Sequence, residues 1–263
     1  MTTAAPAQVL GRLVWSELMT SDPKAAETFY DKVVGWTSEP FGNSPTPYDV
    51  FKRTGGAHVA GLMKTPDGMH MPPFWSMYIA APDLADAIAN VTRLGGSTLS
   101  DVITVPTVGR IQMVKDPQGA AFYVIQPESR ENPPDRDPDE GEVSWIELMT
   151  TDAAAAMAFY QRLFGWEPAE PHDMGPMGTY YLFNRGSRML GGMMNKPKEL
   201  AQVPPYWAIY FRVDDINAAA GRVKANGGQI LNGPMEVPGE DWILTAKDPQ
   251  GATFSLVAKK KTA

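Results

Sequence analysis

The sequence predicts an α+β fold made of two tandem modules, and two observations carry this prediction. The first is a long internal repeat: "VWSELMTSDPKAAETFYDKVVGW" (Val14–Trp36) returns 130 residues later as "SWIELMTTDAAAAMAFYQRLFGW" (Ser144–Trp166). Residues 13–36 share 12 identities in 24 positions with residues 143–166. The second is the order of elements inside each copy, in which a strand and a helix are followed by several strands.

Three shorter blocks repeat in the same order further along the chain, now with an offset of 132 residues. They are PPFW (72–75) and PPYW (204–207), GG (95–96 and 227–228), and KDPQGA (115–120 and 247–252). Between the copies, "PESRENPPDRDPDEGE" is rich in proline and charge, which is typical of linkers. We therefore expect modules at residues 12–126 and 143–258, joined by a linker at residues 127–142.

The opening strand and helix of the first copy have clear boundary signals. "LVWSELMT" has the β-branched and aromatic content of a strand. The helix that follows begins at Ser21 or Asp22, because a short side-chain oxygen can accept hydrogen bonds from the free N–H groups of the first turn. Pro23 suits the first helical position, where its missing N–H costs nothing. Apolar residues then recur at helical spacing until Gly35, which ends the helix.

The remaining elements of the copy follow the same reasoning. Strands are predicted at "YDVFKRT", "AHVAGLMK" and "FWSMYIAA", a second helix at "DLADAIANVTRLGG", and two closing strands at "GRIQMVKD" and "AAFYVIQP". The closing strands are joined by "DPQG", whose proline and glycine positions suit a type I turn. Such a sheet buries one face under its helices and leaves the other face concave.

Composition excludes several classes of function. The net charge of −7, with no basic stripe beyond the lysines at 259–261, argues against nucleic-acid binding, which needs clustered cations. The absence of cysteine excludes disulfides and thiolate metal sites and is compatible with a reducing compartment. The chain has no signal-peptide pattern and no apolar window long enough to span a membrane. We therefore expect a cytoplasmic protein that binds neither nucleic acid nor membrane.

The two copies resemble the vicinal oxygen chelate superfamily, which includes glyoxalase I, bleomycin-resistance proteins, fosfomycin-resistance enzymes and extradiol dioxygenases. The resemblance rests on the pattern D-x-x-x-A-x-x-F-Y-x-x-x-x-G-W and on the later D-P-Q-G-A block, and it covers both copies. The two-module form with W-x-E-L-x-T-x-D is most similar to the glyoxalase-like and hydroxylase-type members. The resemblance implies βαβββ-type modules whose sheets curl into a cup that holds a small molecule.

The resemblance also implies where a metal ion would be bound. Metal-using members place His or Gln on the first strand and Glu on the last strand, and often a third ligand on the strand before the second helix. In this chain the corresponding positions hold Trp15, Ser76, Tyr123, Trp145, Ala208 and Ser255. These are poor ligands for a divalent ion, and an indole ring offers no lone pair. The three histidines (His58, His70 and His172) do not lie at ligand spacing, so we expect neither a metal nor another cofactor.

The first strand of each copy carries the candidate site. Strand alternation places Trp15, Glu17 and Met19 on one face, and in the second copy Trp145, Glu147 and Met149. The tryptophans are interpreted either as core residues or as flat surfaces for a ligand. The glutamates are interpreted either as structural partners of a cation such as Arg212, or as desolvated carboxylates with a raised pKa that act as base or acceptor.

Further candidates come from the other strands. Tyr78, Tyr123 and Tyr210 fall on cup-facing positions and could donate hydrogen bonds, and Ser76 and Ser255 occupy positions where the family binds metal. Gly61 and the Gly191-Gly192 pair, at matching places in the two copies, indicate a close backbone approach or a bulge.

We therefore expect a glyoxalase-like protein with a metal-free apolar or aromatic cup. One hypothesis is a metal-independent lyase, isomerase or hydrolase with Glu17 and Glu147 as catalytic residues. The alternatives are a protein that sequesters a small antibiotic-like molecule, and a metal-dependent lyase or dioxygenase with non-standard ligands. The expected partner is a small apolar or aromatic molecule, and the protein itself is expected to be a monomer or a homodimer.

Overall fold

The structure is a computed structural model that describes residues 9–42, 47–66, 68, 71–129 and 136–259. The strands of the first copy are β1 (Leu13–Thr20), β2 (Thr37–Pro40), β3 (Tyr48–Lys52), β4 (His58–Lys64), β5 (Phe74–Ala80), β6 (Ser97–Thr98), β7 (Ile103–Val105), β8 (Gly109–Lys115) and β9 (Ala121–Pro127). Its helices are α1 (Pro23–Val34) and α2 (Leu84–Arg93).

The second copy repeats this order. Its strands are β10 (Val143–Thr150), β11 (Glu167–Pro168), β12 (His172–Asp173), β13 (Thr179–Arg185), β14 (Arg188–Asn195), β15 (Tyr206–Arg212), β16 (Gln229–Glu236), β17 (Asp241–Lys247) and β18 (Thr253–Lys259). Its helices are α3 (Ala153–Phe164) and α4 (Ile216–Ala225). The strands form two mixed sheets of nine strands, one from each copy. The predicted α+β class with tandem βαβββ-type modules is confirmed.

The helix boundaries follow the local chemistry that the sequence predicts. The Asp22 side chain accepts a hydrogen bond from the Ala25 backbone N–H at 3.1 Å, and Asp152 does the same for Ala155 at 2.9 Å. Gly35 ends α1 with φ at 87°, in the left-handed region that glycine adopts without a Cβ penalty. None of the helices in the described part of the chain is both long and apolar enough to cross a membrane.

By contacts, the chain divides into two compact units, and each unit draws on both copies. We call the first the α1/α4 unit; it consists of Trp15–Ser76, Asp137–Trp145 and the chain from Ala208 onward. The second, the α2/α3 unit, consists of the chain up to Val14, Met77–Arg136 and Ile146–Trp207.

In the α1/α4 unit the strands run in the orders β2-β3-β4-β1 and β18-β17-β16. Strands β1 and β4 are parallel, whereas β3 and β4 are antiparallel. In the α2/α3 unit the orders are β11-β13-β14-β10 and β9-β8-β6, with β7 also paired to β8. Strands β10 and β14 are parallel, as β1 and β4 are in the first unit.

The core of the α1/α4 unit joins the two copies through α1. Tyr30, fully buried, donates a hydrogen bond to the Asp248 carboxylate at 3.2 Å and accepts one from the Trp75 indole N–H at 2.8 Å. Phe29 packs edge-on against Phe254 with ring centroids 5.7 Å apart. The tyrosine of the first F-Y pair therefore binds the aspartate of the D-P-Q-G turn in the other copy.

The α2/α3 unit contains the reciprocal arrangement. Tyr160 donates to the Asp116 carboxylate at 3.1 Å and accepts from the Trp207 indole at 3.0 Å. The other Asp116 oxygen accepts the backbone N–H groups of residues 118, 119 and 120 at 2.7–2.9 Å, which holds the turn closed. Burial raises the pKa of Asp116 above its ordinary value of 3.8, although these hydrogen bonds oppose the shift.

The G-W dipeptides also have a structural role. Trp36 donates its indole N–H to the Gly141 carbonyl at 3.0 Å, and Trp166 donates to the Gly11 carbonyl at 2.8 Å. Gly141 lies in the predicted linker, of which residues 130–135 are outside the described part of the chain. Arg53 also holds the described end of the linker, with ion pairs to Asp139 at 2.7 Å and to Glu142 at 3.0 Å.

Candidate functional site

The Glu17 carboxylate lies on the face of β1 opposite the core. Its neighbours Ser16 and Leu18 are completely buried on the core face, and alternation places Glu17 and Met19 on the other. Glu17 is nevertheless only 5% exposed. The Tyr48 hydroxyl donates a hydrogen bond to Glu17 Oε2 at 2.8 Å. A buried carboxylate is stabilised by such a donor. This donor, Tyr48, is not among the tyrosines named from the sequence.

Trp15 extends this contact into a chain of two hydrogen bonds. Its indole N–H donates to the Tyr48 hydroxyl at 3.0 Å, and the same hydroxyl donates onward to Glu17. Trp15 and Tyr48 are half-buried. Sequence reasoning missed Tyr48, although one signal was available: it lies 132 residues before Tyr180, at the same offset as the other repeated blocks.

Gly61 makes room for this cluster. It is the Cα partner of Glu17 in the parallel pairing of β1 and β4. A Cβ at Gly61 would collide with the Tyr48 hydroxyl and would come within 2.9 Å of the Trp15 indole nitrogen. The close approach expected from the repeated glycines is therefore present, and the approaching group is a tyrosine side chain.

The second copy repeats this arrangement in the α2/α3 unit. Glu147 is 7% exposed, and Gly192 is its Cα partner. A Cβ at Gly192 would collide with the ring and hydroxyl of Tyr180. Tyr206 lies at the start of β15, near Glu147. Burial raises the pKa of the Tyr206 phenol, and the negative charge of Glu147 raises it further.

The other predicted residues have the following contacts. Tyr78 and Tyr123 are Cα partners in β5 and β9 and stack in parallel, with ring centroids 4.4 Å apart and an interplanar angle of 5°. Tyr210 is the Cα partner of Ser255, whose hydroxyl shares a hydrogen bond with Thr245 at 2.9 Å.

Arg212, considered above as a partner of the glutamates, donates from Nη2 to the Ser144 hydroxyl at 2.8 Å. Trp145 and Met149 are half-buried on β10. The structure thus brings Trp15 and Glu17 together through Tyr48.

The residues at the positions where the family binds metal do not fit a divalent ion. The indole N–H of Trp15 donates a hydrogen bond and has no lone pair to offer a metal, and the Ala208 side chain has no atom that could coordinate one. Ser76 donates to the Glu17 carbonyl at 3.4 Å, and Tyr123 stacks on Tyr78. In the described residues no group of three or more His, Cys, Asp or Glu side chains could hold a metal.

The histidines lie elsewhere. His58 contacts Glu39 at 2.9 Å on an exposed surface, and His172 is exposed in β12. His70 lies outside the described residues.

Two family profiles match the chain, one for each copy. The profile of the Glyoxalase/Bleomycin resistance protein/Dioxygenase superfamily matches residues 142–256, and that of the Glyoxalase-like domain matches residues 15–125. The first match overlaps the predicted module at residues 143–258, and the second lies within the predicted module at residues 12–126.

Related proteins extend the similarity to nearly the whole chain. A Mycobacterium bovis protein named as a glyoxylase, CFP32, is 31% identical over 92% of this chain and 93% of its own length. The anthracycline biosynthesis protein DnrV of Streptomyces peucetius is 32% identical over 98% of this chain and 95% of its own length. The crystal structure of a Mn(II)-bound glyoxalase from Novosphingobium aromaticivorans has the same fold, with a TM-score of 0.64 and 18% identity over 96% of this chain and 83% of that chain. The chain belongs to the glyoxalase/bleomycin resistance/dioxygenase superfamily.

Proposed function

We propose that this protein binds a small apolar or aromatic molecule without a metal ion, and that Glu17 or Glu147 accepts a proton or a hydrogen bond from it. The reaction class proposed is a metal-independent lyase, isomerase or hydrolase reaction. The observation that carries the proposal is the buried Glu17 carboxylate on the non-core face of β1, held by the Tyr48 hydroxyl at 2.8 Å. A general base has to be positioned in this way before its pKa matters.

The chemistry around the carboxylates supports an apolar, flat ligand. Trp15 stands two residues from Glu17, and its indole is held in place by its hydrogen bond to Tyr48. Aromatic faces stack well on flat ligands and lose little conformational entropy when they do. The relative named for anthracycline biosynthesis is consistent with this ligand class, because anthracyclines contain fused flat rings.

The donor set argues for the metal-free form of the proposal. The first-strand ligand positions of the family hold Trp15 and Trp145, so neither copy offers an imidazole there. We expect purified protein to contain less than stoichiometric zinc, nickel, iron or manganese by elemental analysis. One equivalent of such a metal, with activity or ligand binding lost on chelation, would establish the metal-dependent alternative.

The second candidate function is sequestration, in which tight binding is itself the purpose. The half-buried Trp15 indole, fixed by its hydrogen bond to Tyr48, favours it, because an ordered aromatic side chain can hold a ligand without any chemistry. Glu17 would then be a hydrogen-bond acceptor and not a base. Native mass spectrometry of protein incubated with cell extract distinguishes the candidates: an unchanged bound molecule favours sequestration, and a converted molecule favours catalysis.

The decisive experiment replaces each glutamate by the isosteric amide. If a carboxylate contacts the ligand, Glu17→Gln or Glu147→Gln should leave the melting temperature nearly unchanged and weaken binding or turnover. If it is structural, the same change should lower the melting temperature and leave affinity unchanged, since a neutral amide is a weaker acceptor than a carboxylate for a donor such as the Tyr48 hydroxyl. Full binding and turnover in both single variants and in the double variant would contradict the proposal.

A further inference from the structure

The two carboxylate clusters differ in one phenol at the start of the strand next to the glutamate strand. The strand that begins with the repeated P-P-x-W block carries Phe74 in the first copy and Tyr206 in the second, since PPFW aligns with PPYW. The neighbouring tryptophans, Trp75 and Trp207, have the same role in both copies: each donates to the buried tyrosine of its unit. At this position the second copy therefore has a phenol hydroxyl that the first copy lacks, next to a tryptophan with the same role in both.

Strand geometry places Tyr206 on the same sheet face as Glu147. Trp207 is 7% exposed and points into the core of the α2/α3 unit, so alternation turns Tyr206 to the opposite face. On β10 the side chains of Ile146 and Leu148 are buried in the core, so Glu147 also faces away from it. Strands β10 and β15 are neighbours in the second sheet.

Glu147 consequently lies between two tyrosines of the α2/α3 unit. On one side, Tyr180 covers Gly192, the Cα partner of Glu147. On the other side, Tyr206 is half-buried and its phenol experiences the charge of Glu147. Burial and this charge both favour the protonated phenol, so Tyr206 remains a hydrogen-bond donor at neutral pH.

We propose that Tyr206 is a specificity-determining residue that gives the second copy a preference for flat ligands with a carbonyl oxygen, such as aromatic ketones and quinones. The proposal rests on the proposed function above, because it presupposes a flat ligand beside the carboxylate. Tyr206 donates to the carbonyl oxygen, while the first copy, with Phe74, has no donor at this position. The two copies then differ in ligand preference although they share a fold and a glutamate.

The test uses a matched pair of probes. 9-Fluorenone and fluorene have the same three fused rings and differ only in a carbonyl oxygen against a methylene group. Equilibrium dialysis of the full chain should show tighter binding of fluorenone. Tyr206→Phe should weaken fluorenone about fivefold to tenfold, the usual contribution of one hydrogen bond, and leave fluorene unchanged. Phe at this position is compatible with the fold, as Phe74 demonstrates, and the melting temperature of the variant verifies that.

The control is the converse change, Phe74→Tyr, which should not weaken either probe. If Tyr206→Phe weakens the binding of fluorenone and fluorene equally, Tyr206 contributes packing and not a hydrogen bond, and the inference is overturned. Unchanged fluorenone binding in this variant would overturn it as well. If wild-type protein binds fluorene but shows no preference for fluorenone, the inference fails and the proposed function stands. If it binds neither probe, the flat-ligand part of the proposed function fails, and the inference falls with it.

Discussion

Two buried tyrosines explain why the F-Y pair and the D-P-Q-G turn occur together in each copy. Tyr30 and Tyr160 each accept from a tryptophan and donate to an aspartate, at distances of 2.8–3.2 Å. Each is completely buried, and burial next to a carboxylate raises the pKa of both phenols well above 10.0. The hydroxyls therefore stay protonated and keep their donor role across the whole physiological range.

Removing one of these hydroxyls should be costly. Tyr30→Phe leaves the Trp75 N–H and an Asp248 oxygen without this partner in the core, and we expect a loss of about 1–3 kcal/mol in unfolding free energy. Tyr160→Phe should behave alike. Urea unfolding measures the effect, and Tyr181→Phe, on a half-buried residue of β13, is the control with an expected change below about 0.5 kcal/mol. Equal stability of Tyr30→Phe and the control would contradict the assigned role.

The aspartates at the two turns give a pH-dependence with a definite sign. Burial raises the pKa of Asp116 and of Asp248 above 3.8, so the folded protein binds these protons more tightly than the unfolded chain. Their contribution to stability is fully present below pH 3.8 and is lost as the pH rises through the raised pKa.

Variants with Asp116→Asn or Asp248→Asn cannot ionise and should lack this dependence. We expect the stability of the wild type relative to either variant to fall as the pH rises from acid towards neutral. Urea unfolding of wild type and variants over that range provides the measurement. A relative stability that increases with pH would show that the folded-state pKa values are lowered.

At the scale of the element, β4 and β14 each have a glycine where a tyrosine side chain packs directly against the strand backbone. Gly61 lies in the middle of β4, where glycine normally weakens a strand, and its missing Cβ is the space that Tyr48 occupies. Gly192 does the same for Tyr180 in β14. These glycines lower the stability of their strands, and in return they leave room for Tyr48 and Tyr180 beside the glutamates.

Gly61→Ala should therefore displace Tyr48 from Glu17. We expect a loss of about 1–3 kcal/mol from overpacking and a weaker affinity for flat ligands. Gly221→Ala is the matched control, because nothing lies within 4 Å of its Cβ position in α4. That change should stabilise the helix by about 0.5–1 kcal/mol. Thermal unfolding and ligand titration of both variants test the pair, and stabilisation by Gly61→Ala would contradict it.

Elements with strong local signals were predictable from the sequence, and elements set by pairing were not. The bounds of α1 follow from Asp22 and Gly35, which both act as predicted. Strand β2, "TSEP", has little strand propensity and exists because it pairs with β3, so no local pattern indicates it. Likewise, Glu17 could be placed on a sheet face by alternation, but its partner could not, because Tyr48 reaches it across strand β4 from a distant part of the sequence.

At the scale of the whole molecule, each compact unit takes elements from both copies. The α1/α4 unit holds Tyr30 from the first copy and Asp248 from the second, and the α2/α3 unit holds Tyr160 and Asp116. Sequence repetition alone predicted two modules in tandem at residues 12–126 and 143–258. It could not predict that each buried tyrosine contacts the aspartate of the other copy. The F-Y and D-P-Q-G motifs are identical in both copies and so give no information about which copy a motif contacts.

Separating the copies should therefore expose core surface in both halves. Expression of residues 1–136 and 137–263 as single chains should yield insoluble or self-associating material, because Tyr30 and Asp248 would be on different chains. Co-expression should restore a soluble pair. Light scattering after size-exclusion chromatography measures both cases. Two monomeric halves that unfold cooperatively would contradict the shared cores.

The reciprocal tyrosine–aspartate contacts also limit how the two halves of the gene can evolve. A substitution at Asp248 removes the hydrogen-bond acceptor of Tyr30, which lies in the other half. Selection on the two halves is therefore coupled at these buried contacts. At Phe74 and Tyr206, by contrast, the two halves have already diverged. A single-copy ancestor with the same motifs could meet both demands by pairing with a second molecule of itself. Duplication would then have joined the two partners in one chain. Only after that step could Glu147 gain a tyrosine neighbour, Tyr206, at the position where the first copy has Phe74.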